Sequence, residues 1–263
     1  MRTAGQPIAI AFILAILTVG SAVARAGGSG VLGARAAESC ADESSRDAPN
    51  EASPLIVTGD FNRDGVADIA EVVSSGCEAT ERSLLTILLG QRDGTFKQAA
   101  TSSIASRNPR AIVVGDFNGD GNPDLIVGGG DGSLIEFLGD GRGQLVPFGQ
   151  IAHFGSIVSI AMGDFNHDGH LDLAVSDAQA SSVTVLQGAG NGSFQQAWSF
   201  PLPMRGIDFY IAAADFNGDG IIDLAVTNDD DASYEIMLGN GNGTFTFAPT
   251  LSNVMDPNSH CPA

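Results

Sequence analysis

One phrase occurs four times in this chain and limits what the chain can fold into: GDFNRDGVADIAE, GDFNGDGNPDLIV, GDFNHDGHLDLAV and ADFNGDGIIDLAV. The first aspartates of the copies are Asp60, Asp116, Asp164 and Asp215, spaced 56, 48 and 51 residues apart. A second phrase follows each at a similar distance: LLGQRDGTFKQ, FLGDGRGQLVP, LQGAGNGSFQQ and MLGNGNGTFTF. A pattern copied at a near-constant period marks a unit that buries its core by stacking on its neighbours. Between the phrases lie short runs of strand formers, such as AIVVGD, SLIEFLG and SSVTVLQG, and no window beyond the N-terminal segment carries a helical stripe. Each unit therefore reads as strand A, aspartate loop, strand B, variable loop, strand C, glycine-rich turn and strand D. The expectation is an all-β chain, a β-propeller-type array of four four-stranded antiparallel blades, as a small closed ring or an open arc. The blades are expected at about 54–106, 107–155, 156–206 and 207–255, with a tail at 256–263.

The aspartate loop carries the chemistry. Calcium takes about six to eight oxygen ligands in flexible geometry, from carboxylates, amide oxygens and backbone carbonyls. Loop positions 1, 3, 5 and 9 supply three carboxylates and one amide oxygen, position 7 offers a carbonyl, and glycine at position 6 permits the turn. The expected ligand sets are Asp60, Asn62, Asp64, Asp68; Asp116, Asn118, Asp120, Asp124; Asp164, Asn166, Asp168, Asp172; and Asp215, Asn217, Asp219, Asp223, for up to four Ca2+ ions. An EF-hand needs a glutamate at position 12 between helices. That position holds Glu71 in the first copy but Val127, Val175 and Val226 in the others, inside expected strands. A metal-free turn explains Asn, Asp and Gly but leaves three acids crowded together without a counterion. Phe61, Phe117, Phe165 and Phe216 at position 2 read as packing residues beneath the loop.

The alternation of D-x-N-x-D-G-x-x-D with L-G-x-G-x-G-x-F resembles the FG-GAP/VCBS-type repeat of α-integrin propellers and many secreted bacterial proteins. The resemblance covers roughly Leu55 to Val254, about three quarters of the chain. It implies calcium-loaded blades with recognition on the face away from the loops. Integrin-like propellers carry seven blades, whereas this chain has room for four. A closed small ring, an open arc completed by self-association or a partner chain, and a piece of a longer design all follow from that count.

Net charge is −19, and the only lysine is Lys97. Without clustered cations a phosphate backbone has nothing to bind, so no nucleic-acid partner is expected. Twelve aspartates sit in the four loops, which points to gathered cations. Arg2, the apolar run Ile8 to Val19 and the small residues before Ala26 have the layout of a secretory signal peptide at 1–26, followed by a linker at 27–53. No later segment is long and apolar enough to span a membrane. The expected location is secreted, periplasmic or cell-surface. Cys40, Cys77 and Cys261 permit one disulfide there, with the pairing open.

In a four-stranded meander the aspartate loops and glycine-rich turns share one edge. The other edge holds segments that differ between copies, the arrangement of a varied recognition surface on a repeated scaffold. Candidates there are Arg107, Arg110, His153, Arg205, Tyr210, Tyr234 and the run Asp229, Asp230, Asp231, each weighed against ordinary surface charge or packing. Trp198 reads as packing, and His167 and His170 as outward-facing loop residues. The sequons at Asn191 and Asn242 fall in glycine-rich turns, where Asn also serves the turn itself. No G-x-S-x-G or H-E-x-x-H occurs. The leading expectation is a non-catalytic binding or adhesion module for an extracellular protein or glycan. The alternative is a polysaccharide-active extracellular enzyme with its site in the variable loops.

Overall fold

The computed structural model describes residues 54–75, 82–203, 209–228 and 233–248. The expected leader, linker and tail, the three cysteines, Arg205, Asp229, Asp230 and Asp231 lie outside those residues. Within them are four four-stranded sheets. The first holds β1 (Leu55–Gly59), β2 (Asp68–Ser75), β3 (Arg82–Gly90) and β4 (Phe96–Ile104). The second holds β5 (Pro109–Gly115), β6 (Asp124–Gly129), β7 (Ser133–Gly139) and β8 (Leu145–His153). The third holds β9 (Ile157–Gly163), β10 (Asp172–Asp177), β11 (Ser182–Gly188) and β12 (Phe194–Pro201). The fourth holds β13 (Phe209–Ala214), β14 (Asp223–Asn228), β15 (Ser233–Gly239) and β16 (Phe245–Phe247). Each sheet is an antiparallel meander in chain order.

The first strands of successive sheets lie side by side: β1 beside β5, β5 beside β9, and β9 beside β13. Among the described residues no comparable contact joins the first sheet to the fourth, and the sheets do not close into a ring. Of the two forms expected, the array is the open one.

Three apolar layers fill the spaces between consecutive sheets. Ala70, Val72, Leu85 and Ile87 of the first sheet meet Leu125, Val127, Ile135 and Phe137 of the second. Ile126 and Leu134 on the other side of the second sheet meet Leu173, Val175 and Leu186 of the third. Ala174, Val183 and Val185 then meet Leu224, Val226 and Met237 of the fourth. The inner strands β6 and β10 are covered on both faces and buried at every residue. That is why DLIVGG and DLAVSD lack the alternation of a half-wet strand. Trp198 packs 4.8 Å from Phe200 and 6.4 Å from Phe245, ring centroid to centroid, as packing predicts.

The blades are also joined by backbone hydrogen bonds between a loop and the next turn. Gly143 N–H donates to the carbonyl of Phe61, Gly192 N–H to that of Phe117, and Gly243 N–H to that of Phe165, each at 2.9 Å. The three phenylalanine rings beneath these carbonyls are buried, whereas Phe216 is 48 % exposed. Packing beneath the loop was expected of all four. Phe216 departs because no following blade covers it among the described residues. At the other end, Phe96 is exposed where its counterparts Leu145 and Phe245 are buried. Gly94 N–H there turns inward to the Gln91 carbonyl instead.

Candidate metal centre

Each aspartate loop links its strand pair with one repeated set of hydrogen bonds. Glycine at position 6 is required by the backbone: Gly65, Gly121, Gly169 and Gly220 have φ of 79°, 81°, 87° and 85°. The first aspartate accepts the N–H groups of positions 5 and 6, as in Asp64 N–H to Asp60 Oδ1 at 3.0 Å and Gly65 N–H to Asp60 Oδ2 at 2.9 Å. Asp116, Asp164 and Asp215 do the same. The asparagine accepts the position 5 N–H on Oδ1 and donates from Nδ2 to the position 5 carboxylate, at Asn62, Asn118, Asn166 and Asn217 alike. The position 5 aspartate then accepts the N–H of position 7, from Val66, Asn122, His170 and Ile221.

The last aspartate has a different surrounding. Asp68, Asp124, Asp172 and Asp223 are wholly buried. Each accepts the N–H of its loop phenylalanine on Oδ2, and on Oδ1 that of the glycine opening the turn between the third and fourth strands: Phe61 with Gly90, Phe117 with Gly139, Phe165 with Gly188, Phe216 with Gly239. One carboxylate thus ties the aspartate loop to the glycine-rich turn, and the two do share an edge.

Electrostatics separates the acids within a loop. Burial pushes the Asp172 carboxyl up to about 6; the N–H groups of Gly188 and Phe165 oppose this, and the charges of Asp168 and Asp164 add to it. Asp124 is raised in the same way, by burial first, with Asp120 and Asp116 adding to it. The Asn166 side chain and the His170 N–H hold Asp168 below the usual carboxylate range. Asp120 is also lowered: burial pushes up, but Asn122 and Asn118 hydrogen bonds and the charge of Arg63 outweigh it. Carboxylates of one loop therefore feel one another as like charges.

Each of the four expected ligand sets lies within one hydrogen-bonded loop. Among the described residues no three Asp, Glu, His or Cys side chains are grouped closely enough to hold a metal ion, and the loop carboxylates face amide N–H groups. Their donor chemistry nonetheless fits calcium: hard oxygens only, with lone pairs beyond those the amides use and like charges that a cation would offset.

The opposite edge is less loose than its varied sequence suggests. Asp131 accepts Arg107 N–H at 2.8 Å and both N–H and Oγ–H of Ser133. Burial raises this carboxyl, but those hydrogen bonds outweigh it and hold it low. Asp177 accepts the N–H groups of Gly155 and Ser156 and, two residues on, of Gln179. These two acids fasten the inter-blade links, a role the sequence analysis missed; the place of Asp131 inside, and of Asp177 just before, the turn between second and third strands was the available signal. Arg107 and His153 are exposed and Arg110 is half-buried, near the links. Tyr210 and Tyr234 flank Thr227 in one cross-strand row, exposed on the uncovered fourth sheet. His167 and His170 are exposed, as expected. Asn191 and Asn242 accept from Ser193 and Thr244 within their own turns.

No helix among the described residues is long and apolar enough to cross a membrane. No curated protein matches the chain significantly. FG-GAP-like repeats match residues 60–127, 116–175, 164–226 and 215–262. Each match opens on the first aspartate of a loop, and the first three run into the second strand of the following blade. With that register repeated over most of its length, the chain belongs to the FG-GAP-like repeat family.

Proposed function

We propose that this chain is an exported, calcium-loaded repeat module without catalytic activity, which binds an extracellular protein or glycan. The observation that carries the reading is the fourfold loop, with three carboxylates inside nine residues and mutual charge acting on the buried one. The holding residues would be Asp60, Asn62, Asp64 and Asp68 and their counterparts in the other copies. A bound ion supplies a charge-neutralising cross-link within each loop. The loops already tie turn to turn, so the ion acts as scaffold, and recognition falls to the opposite edge and the uncovered end faces.

Titration calorimetry of the chain with calcium is expected to give up to four sites with dissociation constants near about 10⁻⁴ to 10⁻³ M, the range of extracellular modules. Immobilised protein is expected to retain a matrix protein or glycan in calcium and release it in chelator. Failure to take up calcium overturns the metal assignment, and retention of nothing across such panels overturns the binding assignment. The same reading places a second copy at the open ends, where Phe96 and Phe216 are exposed. Concentration-dependent sedimentation, abolished by Phe216→Ser, is the expected result.

A further inference from the structure

Three departures from the repeat meet at one point between the second and third blades. On the side of β3, β7 and β11 that faces the next blade, the equivalent positions hold Ile87, Glu136 and Val185, and the same position of β15 in the end sheet holds Ile236. Three are aliphatic and one is an acid, and Glu136 is wholly buried. Neither of its carboxylate oxygens has a hydrogen-bond partner. The second departure is in the neighbouring outer strand. Each of β4, β8 and β12 bulges once opposite this position, leaving Ala99, Phe148 and Ala197 unpaired. The large aromatic occurs only beside the acid, and its two counterparts are alanines. The third is an additional bulge in β8, between the partners of Leu134 and Ile135, which leaves Ile151 unpaired. Bulges re-aim side chains, and here they aim both unpaired residues at the same place.

That place is a cavity of about 260 Å³, partly open to solvent. Glu136 lies in its wall with Phe148, Gln150, Ile151, Ser193 and Phe194. Gly149 stands opposite Glu136 in the strand pairing and has no side chain to cover it. Gly192 of the third blade closes the other side, its missing Cβ falling 3.4 Å from Glu136 Oε1 and 3.5 Å from the Phe148 ring.

We propose that this cavity binds a small organic cation, an alkylammonium group whose charge meets Glu136 and whose stem lies between Phe148 and Phe194. A buried carboxylate without a donor is costly, and an ammonium group supplies both the hydrogen bonds and the compensating charge. Aromatic faces attract the same cation. A neutral ligand would satisfy hydrogen bonding and leave the charge uncompensated. A divalent metal would find one carboxylate here, against the about six to eight oxygens calcium takes. The size matches a short stem, lying just below the usual range of small-molecule pockets, roughly 300–1,000 Å³. Like charge from Asp124 acts on Glu136 and favours an incoming cation further.

The test is an NMR titration of the full chain at pH 8 with n-butylammonium chloride, with n-butanol as its neutral counterpart. Calcium is held constant and ionic strength is matched with sodium chloride. The expected result is saturable binding of the ammonium that shifts the Gln150 and Ser193 resonances, at least about tenfold tighter than the alcohol. Glu136→Gln, nearly identical in shape, is expected to remove that preference. Phe148→Ala, at an exposed position, is expected to weaken ammonium binding about threefold to tenfold with the fold intact. No saturable binding, equal binding of the alcohol, or ammonium binding unchanged in Glu136→Gln overturns the proposal.

Discussion

At the scale of single residues, two positions carry a conformational or electrostatic burden that some or all of their counterparts in other copies avoid. His167 at loop position 4 has φ of 60°, as does Arg63, where the second and fourth copies use Gly119 and Gly218. A side chain in that left-handed region costs roughly 1–2 kcal/mol. His167→Gly is therefore expected to raise stability by about 1 kcal/mol in denaturant unfolding. The two sibling glycines were the readable signal for it. Glu136 is the second. Burial, with the charge of Asp124 adding to it, pushes its carboxyl from 4.5 up to about 7. The folded chain thus keeps this proton to a higher pH than the unfolded chain does. The carboxyl's contribution to stability is fully present at acidic pH and is lost as pH rises from about 4.5 through about 7. Unfolding of Glu136→Gln and of the natural chain is expected to differ little near pH 4.5. By pH 8 the variant should be more stable by about 1–3 kcal/mol, the opening of the cavity to solvent screening part of the charge. A gap that stays constant with pH contradicts the assignment. No pattern of spacing revealed Glu136, because one acid in an apolar run reads as surface until both neighbouring blades are placed.

At the scale of elements, the joints between loops and turns hold the array. Asp172→Ala removes the acceptor for two buried N–H groups, those of Phe165 and Gly188. An unsatisfied buried donor costs about 1–3 kcal/mol, so a loss of roughly 2–5 kcal/mol is expected by chemical denaturation. The phenylalanines divide by place in the array. Phe165→Ala is expected to cost about 3–5 kcal/mol, as a fully buried ring does. Phe216→Ala should cost less than about 1 kcal/mol, because its ring is half exposed. The strand order and the shared edge of loops and turns were readable in the sequence, since each copy carries the same punctuation at the same offsets. The inter-blade bonds were not readable. They join Phe61 to Gly143, Phe117 to Gly192 and Phe165 to Gly243, and each crosses from one copy into the next. Asp131 and Asp177 were hidden for a similar reason, because they bind links whose sequence varies from copy to copy.

At the scale of the whole molecule, an open array of four similar blades is stabilised by its nearest-neighbour layers, three of which are built here. Whatever tightens the loops at once acts on every layer, because the carbonyls of Phe61, Phe117 and Phe165 each lie in one of the three joints. With calcium tenfold above its dissociation constant, each site would add about 1.4 kcal/mol. Four sites would then amount to a large share of a domain's total of roughly 5–15 kcal/mol. The ligand residues were readable because their chemistry and spacing are local to nine residues. The open form of the array was not, because whether the last blade meets the first depends on small rotations summed over every joint. The most direct test of the account is the thermal unfolding midpoint of the chain in millimolar calcium and in excess chelator. A midpoint raised by several degrees in calcium, with a smaller rise after Asp120→Ala or Asp168→Ala, is the expected result. An identical midpoint in both conditions would mean that the four loops are closed by their amide hydrogen bonds alone, and would contradict the metal-bound scaffold.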